Sequence, residues 1–420
     1  MLGIKNISSS FQRGMKNASY MGAGTFLSQI IGFVGFLFIA RMLGVERFGV
    51  YNTVFAFVTF FHLFTLAGLQ KIIVREGSKD IHSFSNVLDQ TIGLKIFFTF
   101  SAFLLCILAT FFTHYPPFTK VLIIIFSTEI IYFGLDSFLS AVFQTHEKMQ
   151  YLALFQILIR SITTVFSILF LYLGAGVTFI LLLNLIVKIG VLVYGYFISR
   201  RLSPFRFHLN IQFDSEILRG ALIFSLMGFV NTLAIKIDVL MVSFLSTEAD
   251  VGIYSAAHEL GREGLIFRNI LATAFFPIAV KLFTSKQVRI KTLFTYSLGL
   301  FVIVFAGAVV VFFFAEDLVV LLFRDEYRYS GFILKYLVFY LPFAFLTLPM
   351  TICLQATHNE QKVLFAMLIA ALANIPLNLI FYYKFGLIGI AYSTIVVFIC
   401  LAFFITFFTV STMRKQGFLI

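Results

Sequence analysis

Apolar stretches of about 20 residues, the length that crosses a bilayer as a helix, recur along this chain with only short charged segments between them. Twelve such windows lie near 20–40, 48–69, 91–112, 121–143, 151–173, 177–198, 218–244, 252–280, 292–315, 331–354, 362–383 and 387–411. Of the 420 residues 60% are hydrophobic and only 12% are charged. A soluble domain is nearer 45–50% apolar and about 25% charged. The pattern excludes a soluble enzyme, a disulfide-stapled secreted domain and a disordered chain. The expected fold class is an all-α polytopic membrane protein with about twelve transmembrane helices.

Charge placement sets the orientation. Of the 31 Lys and Arg, 18 fall in the N-terminal segment, the even-numbered connections and the C-terminal tail, and 6 in the odd-numbered connections. The positive-inside rule then puts both termini in the cytoplasm. The net charge of +12 accordingly reads as orientation and lipid contact, not as nucleic-acid binding. Residues 1–19 lack the run and cleavage site of a removable signal, so the first apolar stretch is expected to be retained. Cys106, Cys353 and Cys400 all sit in apolar runs, and the seven histidines show no ligand spacing, so neither a disulfide framework nor a metal site is implied. No cofactor motif occurs.

The chain repeats itself. Gly49-Val50-Tyr51 recurs as Gly252-Ile253-Tyr254, Gln144–Lys148 has an echo in Gln355–Lys362, and Gly174 matches Gly386. The offsets agree to within about ten residues. The longest connection, 199–217, carries Arg200, Arg201, Pro204 and Arg206 and is the natural boundary. Two six-helix lobes, 1–205 and 206–420, are therefore expected, related by a pseudo-two-fold axis along the membrane normal.

No phosphate loop, His-Glu-x-x-His, paired cysteines or Gly-x-Ser-x-Gly occurs, so nothing points to an enzyme. The informative residues are charges inside apolar spans. Each Arg, Lys or Asp at a helix centre costs about 2.5–3.5 kcal/mol if it faces lipid. Glu129, Asp136 and Ser140 share one stripe of span four, and Gln156, Arg160, Thr163 and Ser167 one stripe of span five. Span six adds Asn184 and Lys188. In span seven Ser225, Thr232, Lys236 and Ser243 share a face, and Asn231 and Asp238 another. Span eight carries His258, Glu259, Arg262 and Glu263, with Arg268 off that face. The stripes imply an aqueous cavity between the lobes, with Glu129, Asp136, Asp238 and Glu259 as candidates for ion coupling. A structural alternative pairs Arg160 with Glu129 or Asp136, Lys236 with an acid of span eight, and Arg262 with Glu259. Lys95 and Lys335, near span ends, read as snorkelling. Pro342, Pro349 and Pro376 are expected to kink their helices, and 316–330 reads as an outer interfacial helix.

The segment Ala40-Arg41-Met42-Leu43-Gly44, followed by Phe48-Gly49-Val50-Tyr51, resembles the signature of the polysaccharide transporter family. Its members are the O-antigen and capsule flippases (Wzx type) of the multidrug/oligosaccharidyl-lipid/polysaccharide exporter superfamily. Lys236–Met241 with Val251–Tyr254, and Leu322–Tyr327, are similar to later family segments, although a Gly usual near Arg324 is absent. Arg41, Gly44, Gly49, Tyr51, Gly252 and Tyr254 are the motif positions. The resemblance implies a V-shaped pair of lobes around a central cavity that alternates in facing. It implies no enzymatic activity. The cargo would be an undecaprenyl-diphosphate-linked oligosaccharide, moved from the cytoplasmic to the periplasmic leaflet of a bacterial inner membrane. Membrane lipids, a polysaccharide polymerase and chain-length machinery would be its partners. Arg160, Lys188, Lys236 and Arg262 would bind the diphosphate, Arg bidentately. A cation-coupled multidrug antiporter of the same superfamily is the alternative, but spans one and two hold no acid beyond Glu46 at their connector.

Overall fold

A backbone in hydrocarbon has no water to bond to, so its N–H and C=O groups must pair within the segment, which a helix achieves. The computed structural model describes residues 2–205, 215–284 and 289–416, and every regular element among them is helical. In chain order these are α1 (Leu2–Phe60), α2 (Leu69–Gly77), α3 (Phe84–Phe111), α4 (Pro117–Phe126), α5 (Thr128–Thr145), α6 (Met149–Tyr172) and α7 (Val177–Leu202). There follow α8 (Ser215–Leu245), α9 (Glu248–Thr284), α10 (Ile290–Phe323), α11 (Arg328–Leu337), α12 (Tyr340–Ala356), α13 (Glu360–Phe385) and α14 (Leu387–Lys415). Among the described residues eight helical stretches are long and apolar enough to cross a membrane, and the pair α11 and α12, bent by 42°, makes a ninth. Ser19–Thr65 is two rods, because Gly44 breaks α1 at φ 73, ψ 170. With α8 and α9 the expected twelve rods are present.

Several boundaries differ from the sequence reading for identifiable reasons. The connector expected near 41–47 is helical on both sides of Gly44, which supplies the positive φ that a side chain would strain. The interfacial helix expected over 316–330 does not form. Residues 316–323 continue α10, because Val319 and Phe323 are fully buried and Phe323 packs on Tyr327 with ring centroids 5.4 Å apart. The break between α11 and α12 falls four residues before Pro342, where the missing N–H leaves the Val338 carbonyl to a tighter bond from Leu341. Pro349 and Pro376 lie inside continuous helices.

The internal repeat is visible in the backbone. Glu147 and His358, 211 residues apart, both take left-handed φ (55° and 56°) at helix ends. In each case a residue just beyond bonds back five positions: Lys148 N–H to the Phe143 carbonyl and Asn359 N–H to the Leu354 carbonyl, both at 2.8 Å. This is the Schellman stop, which satisfies the last carbonyls of a helix. Gly174 and Gly386 likewise share positive φ. The echo Gln144–Lys148 is therefore a shared way of ending a helix.

The chain packs as two compact units, Met1–Leu43 with Val54–Phe229, and Gly44–Thr53 with Val230–Ile420. The middle of the segment expected to divide the lobes, 206–214, lies outside the described residues. In the first unit Phe84, Leu88, Phe138, Phe143, Phe155 and Phe205 form the interior. Small residues of α1 let it lie close to α6: a methyl at Gly24 meets Ala153, and one at Gly35 meets Thr164. In the second unit Met350, Cys353, Leu354, Ala366 and Ile405 pack together, while Val302, Ile303, Val310 and Phe313 of α10 remain on its surface.

Within the second unit the two repeat-related glycines meet. A Cβ at Gly49 would collide with the Glu248 carbonyl, and one at Gly252 with the Val45 carbonyl. Only glycine permits this backbone crossing. Gly49→Val is expected to destabilise the protein by about 1–3 kcal/mol, measured as a lower thermal midpoint of the detergent-purified protein. Gly299→Ala, whose methyl meets no atom within 4 Å inside α10, is expected not to lower that midpoint.

Candidate functional site

The charges expected inside spans do collect, in one cluster per unit. In the first unit α1 ends in a 3-10 turn, Phe61–Thr65, and Leu66 then takes a left-handed φ of 53°. The Thr65 carbonyl there is met by Lys95 of α3, which donates to Thr65 O at 2.8 Å and, at 3.4 Å, to Leu66 O, an oxygen that also accepts the Leu69 N–H. Lys95 is 1% exposed, so the snorkelling role expected for it is wrong. The side chain runs inward because the broken helix offers acceptors there.

The same turn carries His62. Its Nε2 lies 2.6 Å from Glu129 Oε2, while Lys188 Nζ lies 2.8 Å from Glu129 Oε1. The three side chains are 14%, 7% and 15% exposed. Phe133 stacks on the His62 ring at 3.8 Å, and Tyr132, Phe55 and Phe126 surround the Lys188 ammonium at 5.3–6.0 Å. Asp136 sits one turn beyond Tyr132 on α5, with Lys188 and, more weakly, Lys95 as the basic groups acting on it. Arg160 pairs with neither Glu129 nor Asp136: its side chain is exposed and lies along Gly32 of α1, 3.4 Å from where a Cβ would stand. Thr163 and Ser167 of its stripe, and Asn184 of α7, are buried with unpaired oxygens.

In the second unit Asp238 is 4% exposed and accepts from three neutral donors. These are Asn378 Nδ2 at 2.9 Å, Thr394 Oγ1 at 2.8 Å and the Tyr254 hydroxyl at 3.3 Å. Asn378 also donates to Asn374. No Lys or Arg lies within ion-pair range of Asp238 among the described residues. Arg262 pairs with Glu259 on the same helix, as the structural alternative expected, and approaches Glu263 at 3.9 Å. Lys236 acts electrostatically on Glu259. Arg268 donates to the Ala344 carbonyl at 2.8 Å and meets no carboxylate among the described residues. Lys335 is held by Glu316 at 2.6 Å. The side chain of Asn231, expected near Asp238, lies outside the described residues.

The motif residues pack. Phe48 is fully buried between Tyr51 and Tyr327, Gly49 and Gly252 make the helix crossing, and Tyr254 reaches Asp238. Arg41 is partly buried and makes no ion pair among the described residues. Sequence reasoning missed His62, Asn378 and Thr394, and it gave Lys95 and Tyr254 other roles. For His62 the signal is an ionisable group inside the apolar window 48–69.

Broken helices, buried charges and apolar outer faces define a polytopic helical bundle of the kind that membrane transporters use. The chain resembles an inward-facing multidrug resistance MATE family transporter of the MOP superfamily, with TM-score 0.75 and 16% identity over 93% of this chain and 96% of that one. It also resembles the lipid II flippase MurJ in an inward closed conformation, with TM-score 0.72 and 18% identity over 92% and 86% of the chains. A third likeness is a MOP superfamily transporter from Pyrococcus furiosus, with TM-score 0.64 and 16% identity over 95% of each chain. These likenesses establish the fold. The chain belongs to the polysaccharide biosynthesis protein family, whose profile matches residues 15–283 and so takes in both Arg41–Tyr51 and Lys236–Tyr254. A comparison with curated protein sequences returns no match.

Lys95→Met removes the donor to two buried carbonyls. It is expected to destabilise the protein by about 1–3 kcal/mol, read as a drop in the thermal midpoint. An unchanged midpoint would mean that those carbonyls find another donor.

Proposed function

We propose that this protein is a flippase for undecaprenyl-diphosphate-linked oligosaccharide repeat units, carrying them from the cytoplasmic to the periplasmic leaflet by alternating access. Its place would be a bacterial inner membrane with both termini in the cytoplasm. The observation that carries this reading is the presence, in a polysaccharide biosynthesis family member, of cations with donors to spare inside membrane-spanning helices. Arg160 has no acid partner among the described residues, and Arg268 spends one donor on a carbonyl. A guanidinium facing hydrocarbon is costly, so each needs water or an anion beside it. A diphosphate is a fitting anion, because guanidinium and phosphate bond bidentately. The lipid tail can stay in the bilayer while the polar headgroup follows the charges.

Lys188, Lys236 and Arg262 are the further diphosphate candidates. Lys188 and Arg262 are engaged by Glu129 and Glu259, so their use requires those pairs to open. Asp238 is the best-placed coupling residue, with Glu129, Asp136 and Glu259 behind it: among the described residues this buried carboxylate is held by three neutral donors and no Lys or Arg, and a proton or a metal cation would supply the missing positive charge. Asp238→Asn keeps the side-chain shape and is expected to leave the protein in the membrane while abolishing gradient-driven transport.

The test of the function follows surface polysaccharide and lipid-linked repeat units together in a deletion strain. Loss of surface glycan with intact repeat units on the cytoplasmic leaflet is expected. Normal glycan with new sensitivity to cationic drugs would instead indicate an antiporter. In a complemented strain Arg160→Ala is expected to abolish surface glycan without loss of protein from the membrane. Arg262→Ala is expected to abolish it and also to lower protein stability, because Glu259 loses its partner. Normal glycan in both variants would remove the cationic site.

A further inference from the structure

The buried cluster of the first unit centres on one shared carboxylate. Glu129 on α5 meets His62 at one oxygen and Lys188 of α7 at the other. Asp136 and Tyr132 of α5, Lys95 of α3 and the exposed Arg160 of α6 are the other charged and titratable groups around it. Within the triad His62 is the imidazole. Among ordinary side chains only histidine changes charge near neutral pH without special tuning. Its geometry is defined by the bond to Glu129: an ionised carboxylate only accepts, so Nε2 carries the hydrogen. Nδ1 has no hydrogen-bond partner among the described residues.

We propose that His62, Glu129 and Lys188 form a proton-binding site, in which Nδ1 of His62 takes a proton and Glu129 becomes a carboxylate shared by two cations. The proton comes from water and no bond other than N–H forms. Neutral His62 leaves Lys188 as the principal counter-charge of Glu129. Protonated His62 competes for the same carboxylate at its other oxygen, which loosens Glu129 from Lys188 and frees an ammonium lined by Tyr132, Phe55 and Phe126. That release rests on the flippase reading, since the freed ammonium is then available to an anionic headgroup. The position of His62 in the broken end of α1, beside the carbonyls held by Lys95, ties its charge to the point where the helix is interrupted.

The test uses full-length protein carrying 15N-labelled histidine in lipid nanodiscs, with the His62 signals assigned from His62→Gln. Between about pH 8 and about pH 5.5 the ring nitrogens are expected to pass from the neutral to the doubly protonated pattern. In Glu129→Gln, where the anion is gone and Lys188 is left, His62 is expected to stay neutral throughout. A ring that holds one state across this range in the wild-type protein, or that changes equally in Glu129→Gln, overturns the site. Binding of undecaprenyl diphosphate by the same preparations separates this inference from the flippase reading. Wild-type affinity is expected to rise about tenfold over the range, with no rise in His62→Gln or Lys188→Gln. A His62 that titrates in a protein that binds no undecaprenyl diphosphate supports the proton site and overturns the flippase reading.

Discussion

The interaction on which the rest of this structure depends is the pairing of backbone groups and charges inside a chain that has no water to turn to. In hydrocarbon an unbonded carbonyl or a lone charge costs several kcal/mol. Each interruption of a helix therefore carries its own satisfier. Lys95 serves the break after Thr65, Leu341 takes up the carbonyl left by Pro342, and the Schellman bonds close the ends at Glu147 and His358. The same rule places Glu129 between Lys188 and His62, and Arg262 against Glu259.

Against that rule the incompletely paired groups stand out. Among the described residues Asp238 is surrounded by hydroxyl and amide donors with no Lys or Arg in ion-pair range, and Arg160 and Arg268 meet no acid. Such groups are expensive to keep and their retention implies a use. They also differ in kind between the units: the first holds a closed ion triad with a histidine, the second a carboxylate in a neutral shell. A shell of neutral donors and a carboxylate with two competing cations both permit polar contacts to be exchanged without leaving a charge bare, as the proposed transport would require.

Most of the fold was legible before any coordinate. Long apolar windows fixed the number and order of the rods, and the recurrence of Gly-Val-Tyr as Gly-Ile-Tyr marked the repeat. Boundaries were less legible where packing overrode composition. Arg324, Asp325 and Arg328 made 316–330 look interfacial, yet burial of Val319 and Phe323 extended α10 to Phe323. The family signature was recognisable from its residues, but its physical meaning was not. Gly49 and Gly252 each admit a backbone carbonyl from the other's helix, a contact between residues 203 apart in sequence.

The candidate site was legible as a set of residue types and illegible as pairs. Helical periodicity put Glu129 and Asp136 on one stripe and Arg160 on another, but periodicity says nothing about which stripe faces which. The expectation that Arg160 would meet one of those acids failed because α7 brings Lys188 to Glu129 first. His62, Asn378 and Thr394, and the inward role of Lys95, entered only through the tertiary structure, being drawn in from elements far apart in the chain. The sequence by itself determined the membrane class, the rods and the charges that must be hidden, because those follow from local hydropathy and transfer cost. Only the tertiary structure decided which charges cancel and which stay open, because pairing depends on distances of a few ångströms between helices that sequence spacing does not encode.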